Sequence, residues 1–276
     1  MAFIELNRIS KSYGDRRILA DIQLAIDEGE FVSVVGASAS GKTTLLSIAA
    51  GLRAPDIGNV TIGGEPVTDF PRQAAVVFQN YSLLPWFSAL ENVRLAVESA
   101  FPDWSRARQT EQSERYLQMV GLGKALAKRP SQLSGGMRQR VAIARAFAVE
   151  PRVLFLDEPF GALDALTRAT LQQELMRMCS ERASAVTALL ITNSVDEAIL
   201  LSDRILALGR PPGASLGEAV PVNLPKPRTA HMLAHDDEVV RIRAKVVESL
   251  TSSRQSSASA EPAALRRSAL ALGPQI

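Results

Sequence analysis

The stretch Phe31-Val-Ser-Val-Val-Gly-Ala-Ser-Ala-Ser-Gly-Lys-Thr-Thr44 decides the fold of this chain. Its first five residues, 31–35, form a β-branched run that is typical of a buried strand. A glycine-rich turn follows, and residues 45–50 then have the pattern of a helix that ends at Gly51. A strand, a turn and a helix are the context that the pattern G-x-x-x-x-G-K-[ST] needs in order to form a phosphate-binding loop. The sequence therefore predicts that a nucleoside triphosphate binds here.

The chemistry of a phosphate-binding loop explains why these residue types stand at this spacing. Backbone N–H groups of the turn and of the first helical turn point at phosphate oxygens. Lys42 supplies a mobile cation for the β- and γ-phosphates, and the Thr43 hydroxyl is a ligand for Mg²⁺. The candidate nucleotide-binding residues of the loop are Gly36, Ala37, Ser38, Ala39, Ser40, Gly41, Lys42, Thr43 and Thr44.

The composition argues against several other kinds of protein. The 276 residues are enough for one large α/β domain with a tail, and the net charge of +2 gives no sign of a nucleic-acid-binding surface. Two His residues and one Cys are too few for a Cys/His metal cluster or an internal disulfide. No apolar run is long enough to span a bilayer, and residues 1–6 lack the features of a signal peptide. We therefore expect a soluble, cytosolic chain that contacts a membrane only through a partner.

Short apolar runs alternate with helical patterns along the chain. The apolar runs predict strands at 3–6, 18–26, 31–35, 59–62, 74–78, 153–156, 188–192 and 204–208. The helical patterns predict helices at 45–50, 105–120, 134–149, 165–180, 195–201 and 236–250, with a further helical region that starts near residue 88. This alternation predicts an α/β fold with a mostly parallel sheet and crossover helices.

The same patterns divide the chain into segments. We predict a nucleotide-binding core at 1–87 and 131–228, a helical subdomain at 88–130, a C-terminal helix at 229–250 and a disordered tail at 251–276. A capping box marks the start of the helical subdomain, because Ser88 is followed three residues later by Glu91. The tail is predicted to be disordered because it is rich in Ser and Ala.

Five further motifs narrow the class of protein. They are Lys11–Gly14, Val77–Gln79, Leu133–Arg140, Leu154–Pro159 and Gly161–Asp164. In this order they resemble the A-loop, Q-loop, signature, Walker B and D-loop motifs of ABC-type ATPases. The resemblance extends over most of the chain, up to residue 250. It implies a P-loop NTPase core with N-terminal antiparallel strands and a helical insertion, and it implies ATP and Mg²⁺ as ligands.

Four side chains in these motifs are candidates for chemistry. Asp157 ends a buried strand beside the phosphate-binding loop and is predicted to hold Mg²⁺. Glu158 is the candidate base for the water that attacks the γ-phosphate. Gln79 is a candidate Mg²⁺ ligand that senses the reaction centre, and Tyr13 is a candidate to stack on adenine. Plainer alternatives remain for each: a helix cap or turn carboxylate, a surface carboxylate, a turn residue after a strand, and an aromatic side chain used for packing.

The signature segment adds a second nucleotide-binding surface. Ser134, Gly135 and Gly136 form a helix N-terminus whose N–H groups favour an anion. The resemblance implies that this end faces the phosphate-binding loop of a second protomer in a head-to-tail pair that buries two ATP molecules. It also places Asp164 of the D-loop among the nucleotide-binding residues.

Smaller features resemble one branch of the family. Phe78–Trp86, Glu91–Val93 and Asp196–Ala198 resemble the ATPases of nitrate, sulfonate and taurine importers, and the segment 209–228 favours the nitrate type. The implied partners are transmembrane permease subunits, a second ATPase protomer and, indirectly, a periplasmic or extracellular substrate-binding protein. The implied location is the cytoplasmic face of the membrane, as a peripheral subunit. The apolar residues at 83–87 then receive a permease helix, or they belong to the core of the helical insertion.

Two other functions stay open at this point. One is a soluble ABC-type ATPase of repair or translation, although this chain has one phosphate-binding loop, near-neutral charge and no sustained heptads. The other is a subunit that binds ATP but hydrolyses it poorly.

Two positions depart from the family pattern. Ala39 stands where the family has Gly, and if that position needs a positive φ the alanine costs about 1 kcal/mol. Asn193 stands where the family has a His that reaches the γ-phosphate, and Ser194 where it commonly has Asp. Asn193 is a candidate catalytic residue under three alternatives: slow but sufficient turnover, a mixed dimer with an intact partner, or binding without useful hydrolysis.

Overall fold

The computed structural model describes residues 2–180 and 185–258. Its strands are β1 Ala2–Tyr13, β2 Arg16–Asp27, β3 Phe31–Val35, β4 Ile57–Ile62, β5 Glu65–Pro66, β6 Ala74–Val77, β7 Val153–Asp157, β8 Thr187–Thr192, β9 Arg204–Ala207 and β10 Val220–Pro221. Its α-helices are α1 Lys42–Ala49, α2 Ala89–Ala100, α3 Arg106–Met119, α4 Gly135–Ala148, α5 Ala165–Ser180, α6 Val195–Leu201, α7 Ala230–His235 and α8 Asp237–Ala258. A short 3₁₀ turn, Pro130–Gln132, precedes α4.

The central sheet confirms the predicted α/β fold. Its six strands have the order β10-β9-β3-β8-β7-β6, and all neighbours are parallel except the edge pair β10 and β9. Strands β3, β7 and β8 are buried along their whole length, as their unbroken apolar runs predict. The carboxyl ends of parallel strands meet at one edge of a sheet, so the residues after β3, β6, β7 and β8 converge there.

A second sheet covers the amino-terminal half of the core. It is antiparallel, with the order β2-β1-β4-β5, and the β1–β2 turn uses Gly14 at a φ of +55°. Both long strands have 12 residues and extend well past the predicted segments 3–6 and 18–26. The prediction was too short because the outer parts carry polar side chains and several register shifts interrupt the alternation.

The helical insertion begins as its capping box predicts. The Ser88 hydroxyl accepts a hydrogen bond from the Glu91 N–H at 3.2 Å, and a Glu91 carboxylate oxygen accepts one from the Ser88 N–H at 2.8 Å. Ser105 caps α3 in the same manner, accepting from the Arg108 N–H at 3.3 Å. Val93, Leu117 and other apolar side chains of α2 and α3 join α4 in one core cluster with the central sheet.

The carboxyl-terminal part of the chain differs from the sequence prediction. Helix α8 does not end at Leu250 but continues to Ala258, so the predicted disordered tail is corrected over 251–258. The Thr251 hydroxyl donates to the carbonyls of Val247 and Glu248, one turn earlier in the same helix. The rest of the predicted tail, 259–276, lies outside the described residues. Within the described chain, none of the helices combines the length and apolar character needed to cross a bilayer.

Candidate functional site

A cleft of about 450 Å³ opens where the phosphate-binding loop meets the edge of the central sheet. It is lined by Tyr13, Arg16, Ile18, Ser38, Ala39, Gly41, Lys42, Thr43, Thr44, Gln79 and Glu158. We call it the phosphate-loop cleft. The structure thus brings together side chains that the sequence predicts from four separate motifs.

Lys42 is held at the floor of this cleft. Its side chain is 4% exposed, and its Nζ donates to the carbonyls of Gly36 and Ala37 at 3.0 Å each. The Glu158 Oε1 lies 3.2 Å from the same nitrogen. These contacts hold the Lys42 ammonium group beside the backbone N–H groups of the loop. A cation next to such N–H groups is the arrangement that binds the phosphates of a nucleotide.

The backbone of the loop requires unusual conformations at two residues. Gly41 has a φ of +102°, and a Cβ there would lie 2.8 Å from the Ile18 Cγ2, so only glycine fits. Ala39 has a φ of +62°, which meets the condition under which the sequence predicts strain at this position. The Ser40 hydroxyl is buried, and among the described residues it has no hydrogen-bond partner.

Asp157 is placed beside the first turn of α1. Its Oδ1 accepts a hydrogen bond from the Thr43 hydroxyl at 3.3 Å, and the residue is 6% exposed. Burial raises the pKa of the Asp157 carboxyl, an effect that the Thr43 hydrogen bond opposes. The nearby Glu158 charge adds to the rise and the Lys42 charge reduces it.

The residues of this corner fit the requirements of Mg²⁺. Asp157, Thr43 and Gln79 offer a carboxylate, a hydroxyl and an amide oxygen, which are hard oxygen donors of the kind that this ion prefers. The described part of the chain has no cluster of three or more His, Cys, Asp or Glu that could hold a metal. A single carboxylate suffices for Mg²⁺ because the ion takes its other ligands from water and from substrate phosphates.

Glu158 lies between Lys42 and Gln79. Its φ is +43°, so its backbone is in the left-handed region, and its Oε2 accepts a hydrogen bond from the Gln79 Nε2 at 3.5 Å. The Glu158 N–H donates to the Ile191 carbonyl at 2.9 Å, which ties the end of β7 to the end of β8. The predicted base and the predicted sensor are therefore in contact before any ligand is considered.

The wall of the cleft near Tyr13, where the sequence predicts that adenine stacks, also contains residues that the sequence analysis did not single out. Tyr13 is 43% exposed, and the Arg53 guanidinium lies 5.3 Å from its ring centroid. Arg16 and Ile18 line the same wall from β2. The signal that could have identified Arg16 is the hairpin itself, because Tyr13 pairs with Arg16 directly across the turn.

Asn193 does not line the phosphate-loop cleft. It is exposed at the end of β8, between two smaller cavities of about 140 Å³ and about 210 Å³. The first of these cavities is shared with Gln79 and Glu158, and the second with Gly36 and Ala37. The residue thus separates the candidate base from the start of the phosphate-binding loop.

We call the position of Asn193 the switch position. The buried carboxylate of Glu197 lines the smaller of the two cavities together with Asn193. Glu197 on α6 is 5% exposed and accepts a hydrogen bond from the Gln172 Nε2 on α5 at 3.2 Å. Burial raises its pKa, while hydrogen bonds from Thr192 and Gln172 and the charge of Arg168 oppose the rise. Sequence reasoning missed Glu197 and Arg168, because a charged residue inside a helical pattern is expected to face solvent.

The signature and D-loop residues lie apart from the phosphate-loop cleft of their own chain. Ser134 caps α4, since its hydroxyl accepts from the Met137 N–H at 3.2 Å, and Gly135 and Gly136 form the first turn. Asp164 accepts from the Thr167 N–H at 2.9 Å, a hydrogen bond that lowers the pKa of the Asp164 carboxyl. None of these four residues is among the lining residues of the cleft, so within one described chain they do not meet its phosphate-binding loop.

Comparison with known proteins identifies relatives of this chain. The profile of the family described as "ABC transporter" matches residues 19–161. The bicarbonate transport ATP-binding protein CmpC of Synechococcus elongatus is 45% identical over 250 residues, which cover 89% of this chain and 37% of that protein. The nitrate import ATP-binding protein NrtD of the same species is 41% identical over 252 residues, which cover 90% of this chain and 91% of that protein. This chain thus spans little more than a third of CmpC but nearly all of NrtD.

A solved structure supports the same likeness at the level of the fold. The dimeric ATP-binding cassette MJ0796 in a post-hydrolysis state, bound to ADP and Pi, superposes with a TM-score of 0.72. The two chains are 31% identical, and the match covers 80% of this chain and 99% of that one.

Proposed function

Since this chain belongs to the ABC transporter family, we propose that it is the ATP-hydrolysing subunit of an importer for a small oxyanion. Nitrate is the first candidate for that oxyanion. The observation that carries the proposal is the meeting of Lys42, Asp157, Glu158 and Gln79 at one edge of the sheet. A phosphate-binding loop, a ligand set for Mg²⁺ and a candidate base are the parts that phosphoryl transfer to water requires.

The residues of the cleft have distinct roles in this proposal. Lys42 and the loop N–H groups hold the β- and γ-phosphates, and Tyr13 provides a flat face for adenine. Asp157 and Thr43 would hold Mg²⁺, which would supply positive charge to offset the charge of the phosphates. Glu158 orients the attacking water and accepts its proton, and Gln79 positions Glu158 through the 3.5 Å hydrogen bond.

The second protomer completes each site in this proposal. The helix N-terminus at Ser134, Gly135 and Gly136 offers N–H groups to a phosphate, yet it lies outside the cleft of its own chain. A head-to-tail pair brings it, with Asp164, against the phosphate-binding loop of the other protomer. ATP closes this pair and hydrolysis reopens it, and the permease uses the cycle for alternating access.

The permease contact is assigned to the apolar segment after Gln79. Trp86 is 63% exposed and packs edge-on against Phe87 at 6.4 Å between ring centroids. Trp86 lies beside the half-buried Leu83, Leu84 and Phe87 in sequence, and we propose that this apolar patch receives a permease helix. The chain then works as a peripheral subunit on the cytoplasmic face of the membrane, and a separate binding protein delivers the anion to the permease.

A weaker ATPase is the second candidate, and the position of Asn193 favours it. The amide donates hydrogen bonds but carries no charge, and it lies outside the phosphate-loop cleft. Loss of one preorganised donor to a transition state typically costs about 10²–10³ in rate. Slow turnover in a homodimer and pairing with a different, intact ATPase are both compatible with this arrangement.

The proposal is tested by phosphate release from the purified chain and by co-purification with the permease from detergent-solubilised membranes. We expect measurable hydrolysis that rises with Asn193→His, because His restores a group that becomes cationic. Trp86→Ala should abolish co-purification and leave basal hydrolysis intact, whereas Val240→Ala, a matched exposed position on α8, should change neither. Co-purification with ribosomes or DNA instead of a permease would refute the importer function. Strong activity that His does not change would remove the case for a mixed dimer.

A further inference from the structure

The two histidines of this chain lie side by side on the short helix α7. His231 and His235 stand four residues apart, which places them on one face of the helix. Their ring centroids are 4.5 Å apart, and the two rings are tilted by 50°. Both side chains are exposed to solvent. The proposed function uses neither of them.

Helix α7 is attached to the rest of the chain by its opposite face. Leu233 lies two residues from each histidine, and so on the other side of the helix, where it packs against a buried cluster that includes Val239 of α8. The Arg243 Nη2 donates to the Leu233 carbonyl at 3.2 Å, and the Arg243 Nε donates to the Asp196 carboxylate of α6 at 2.9 Å. The backbone that carries the two imidazoles is therefore anchored, which lowers the entropy cost of binding a ligand between them.

The geometry of the two rings fits a shared metal ion. Within the part of the chain that the structure describes, neither ring has a hydrogen bond or an ion pair, so their nitrogens are available. Imidazole nitrogen is a preferred ligand of Zn²⁺, Cu²⁺ and Ni²⁺. Since a zinc–nitrogen bond measures about 2.0–2.1 Å, two imidazoles at adjacent positions of one ion have ring centroids about 4–5 Å apart. The separation of 4.5 Å lies in that range.

We propose that His231 and His235 form a chelating site for a late first-row divalent cation, either Zn²⁺ or Cu²⁺. Paired histidines four residues apart on a helix are also the spacing of helical zinc motifs. Among residues 2–180 and 185–258, no third His, Cys, Asp or Glu completes a cluster, so water or a second molecule fills the other coordination positions. The site is separate from ATP binding, because neither histidine lines the phosphate-loop cleft.

Calorimetric titration of the untagged full chain with Cu²⁺, Zn²⁺ and Mg²⁺, in the absence of nucleotide, tests the site. Every protein in the test carries Cys179→Ser, so that the one thiol of the chain does not compete. We expect one equivalent of Cu²⁺ or Zn²⁺ that Mg²⁺ does not displace, with Cu²⁺ bound more tightly. His231→Gln and His235→Gln should each weaken binding about a hundredfold, because the second nitrogen of a chelate binds intramolecularly. Ala234→Gln, at an exposed position between them, should leave the affinity unchanged.

A second measurement locates the ion on α7. Zn²⁺ should slow hydrogen exchange at the amides of α7 and raise the Tm by mass action, and neither effect should occur in the two histidine variants. Without metal these variants should keep the parental Tm, since both side chains are exposed, and a loss of affinity then reports the loss of a ligand. Full affinity in either histidine variant, equal weakening in Ala234→Gln, or a chain that binds neither Zn²⁺ nor Cu²⁺ would overturn the proposal.

Discussion

Ala39 is the residue at which this chain stores backbone strain in its phosphate-binding loop. Its φ of +62° lies in the left-handed region, which costs an L-residue about 1–2 kcal/mol. The sequence supplied the condition for this cost, and the structure shows that it is met. What the sequence could not supply is the angle itself, because it depends on the path that the folded turn takes between β3 and α1.

The first prediction follows from this angle. Ala39→Gly should raise the free energy of unfolding by about 1 kcal/mol, since relief of strain exceeds the added entropy of glycine in the unfolded chain. Urea denaturation measures the change. The matched control is Ala37→Gly in the same loop, where φ is not positive, and it should lower stability by about 0.5–1 kcal/mol. Equal effects of the two substitutions would show that Ala39 is unstrained.

The predictability of the site divides by how its residues are supplied. Lys42, Thr43, Asp157 and Glu158 stand in contiguous motifs, where spacing alone fixes the neighbouring strand and turn. Arg16, Arg168 and Glu197 reach the site from β2, α5 and α6. Their positions depend on strand order and helix packing, which a single sequence does not specify.

At the scale of elements, the buried pair Glu197 and Gln172 connects α6 to α5 behind the switch position. Periodicity predicted both helices with the bounds that the structure has. The two-residue strands β5 and β10 were missed, since elements of this length carry no measurable period. The segment 229–250, predicted as one helix, is divided at Asp236 into α7 and α8.

A pH dependence follows from the buried Glu197. Because burial raises its pKa in the folded state, the folded chain binds the proton more tightly than the unfolded chain does. The stability that this proton contributes is complete below the unfolded pKa and is lost as pH rises through the raised folded pKa. Glu197→Gln keeps the hydrogen bond from Gln172 and removes the titration. Its stability should therefore fall less than that of the parental chain as the pH rises above the unfolded pKa of the glutamate.

Urea denaturation at pH values from below to above the unfolded pKa of glutamate compares this variant with the parental chain. Glu111→Gln on the exposed side of α3 is the control, and it should reproduce the parental pH dependence. An identical pH profile for Glu197→Gln and the parental chain would show that Glu197 does not titrate differently on folding.

At the scale of the whole molecule, the phosphate-loop cleft and the N-terminus of helix α4, which carries the signature motif, lie at separate places on one chain. Ser134, Gly135 and Gly136 cap α4, yet none of them lines the cleft. In the proposed two-protomer site, this helix N-terminus serves the phosphates bound by the partner chain and not those bound by its own.

The last prediction tests that assembly. Glu158→Gln keeps the shape of the side chain and lacks the basic oxygen, so ATP should remain bound and hold two protomers closed. Light scattering in Mg²⁺ and ATP should show twice the monomer mass. Adding Gly135→Asp to this variant should abolish the dimer, because the carboxylate repels the partner's phosphates. The fold should tolerate this change: a Cβ at Gly135 lies 3.5 Å from the Tyr81 hydroxyl, and an acid suits the first turn of a helix.

Mixing then distinguishes a shared site from a self-contained one. Lys42→Ala and Gly135→Asp, each in the Glu158→Gln background, should fail to dimerise alone, since one lacks phosphate contacts and the other repels them. In an equimolar mixture of the two chains, a head-to-tail pair has one site with an intact Lys42 and an intact Gly135, so dimers should reappear. The other site of that pair carries both defects, and the mixed dimer should therefore hold one ATP instead of two. A mixture that stays monomeric would place the signature helix and the phosphate-binding loop in separate functions, and the proposed two-protomer site would be wrong.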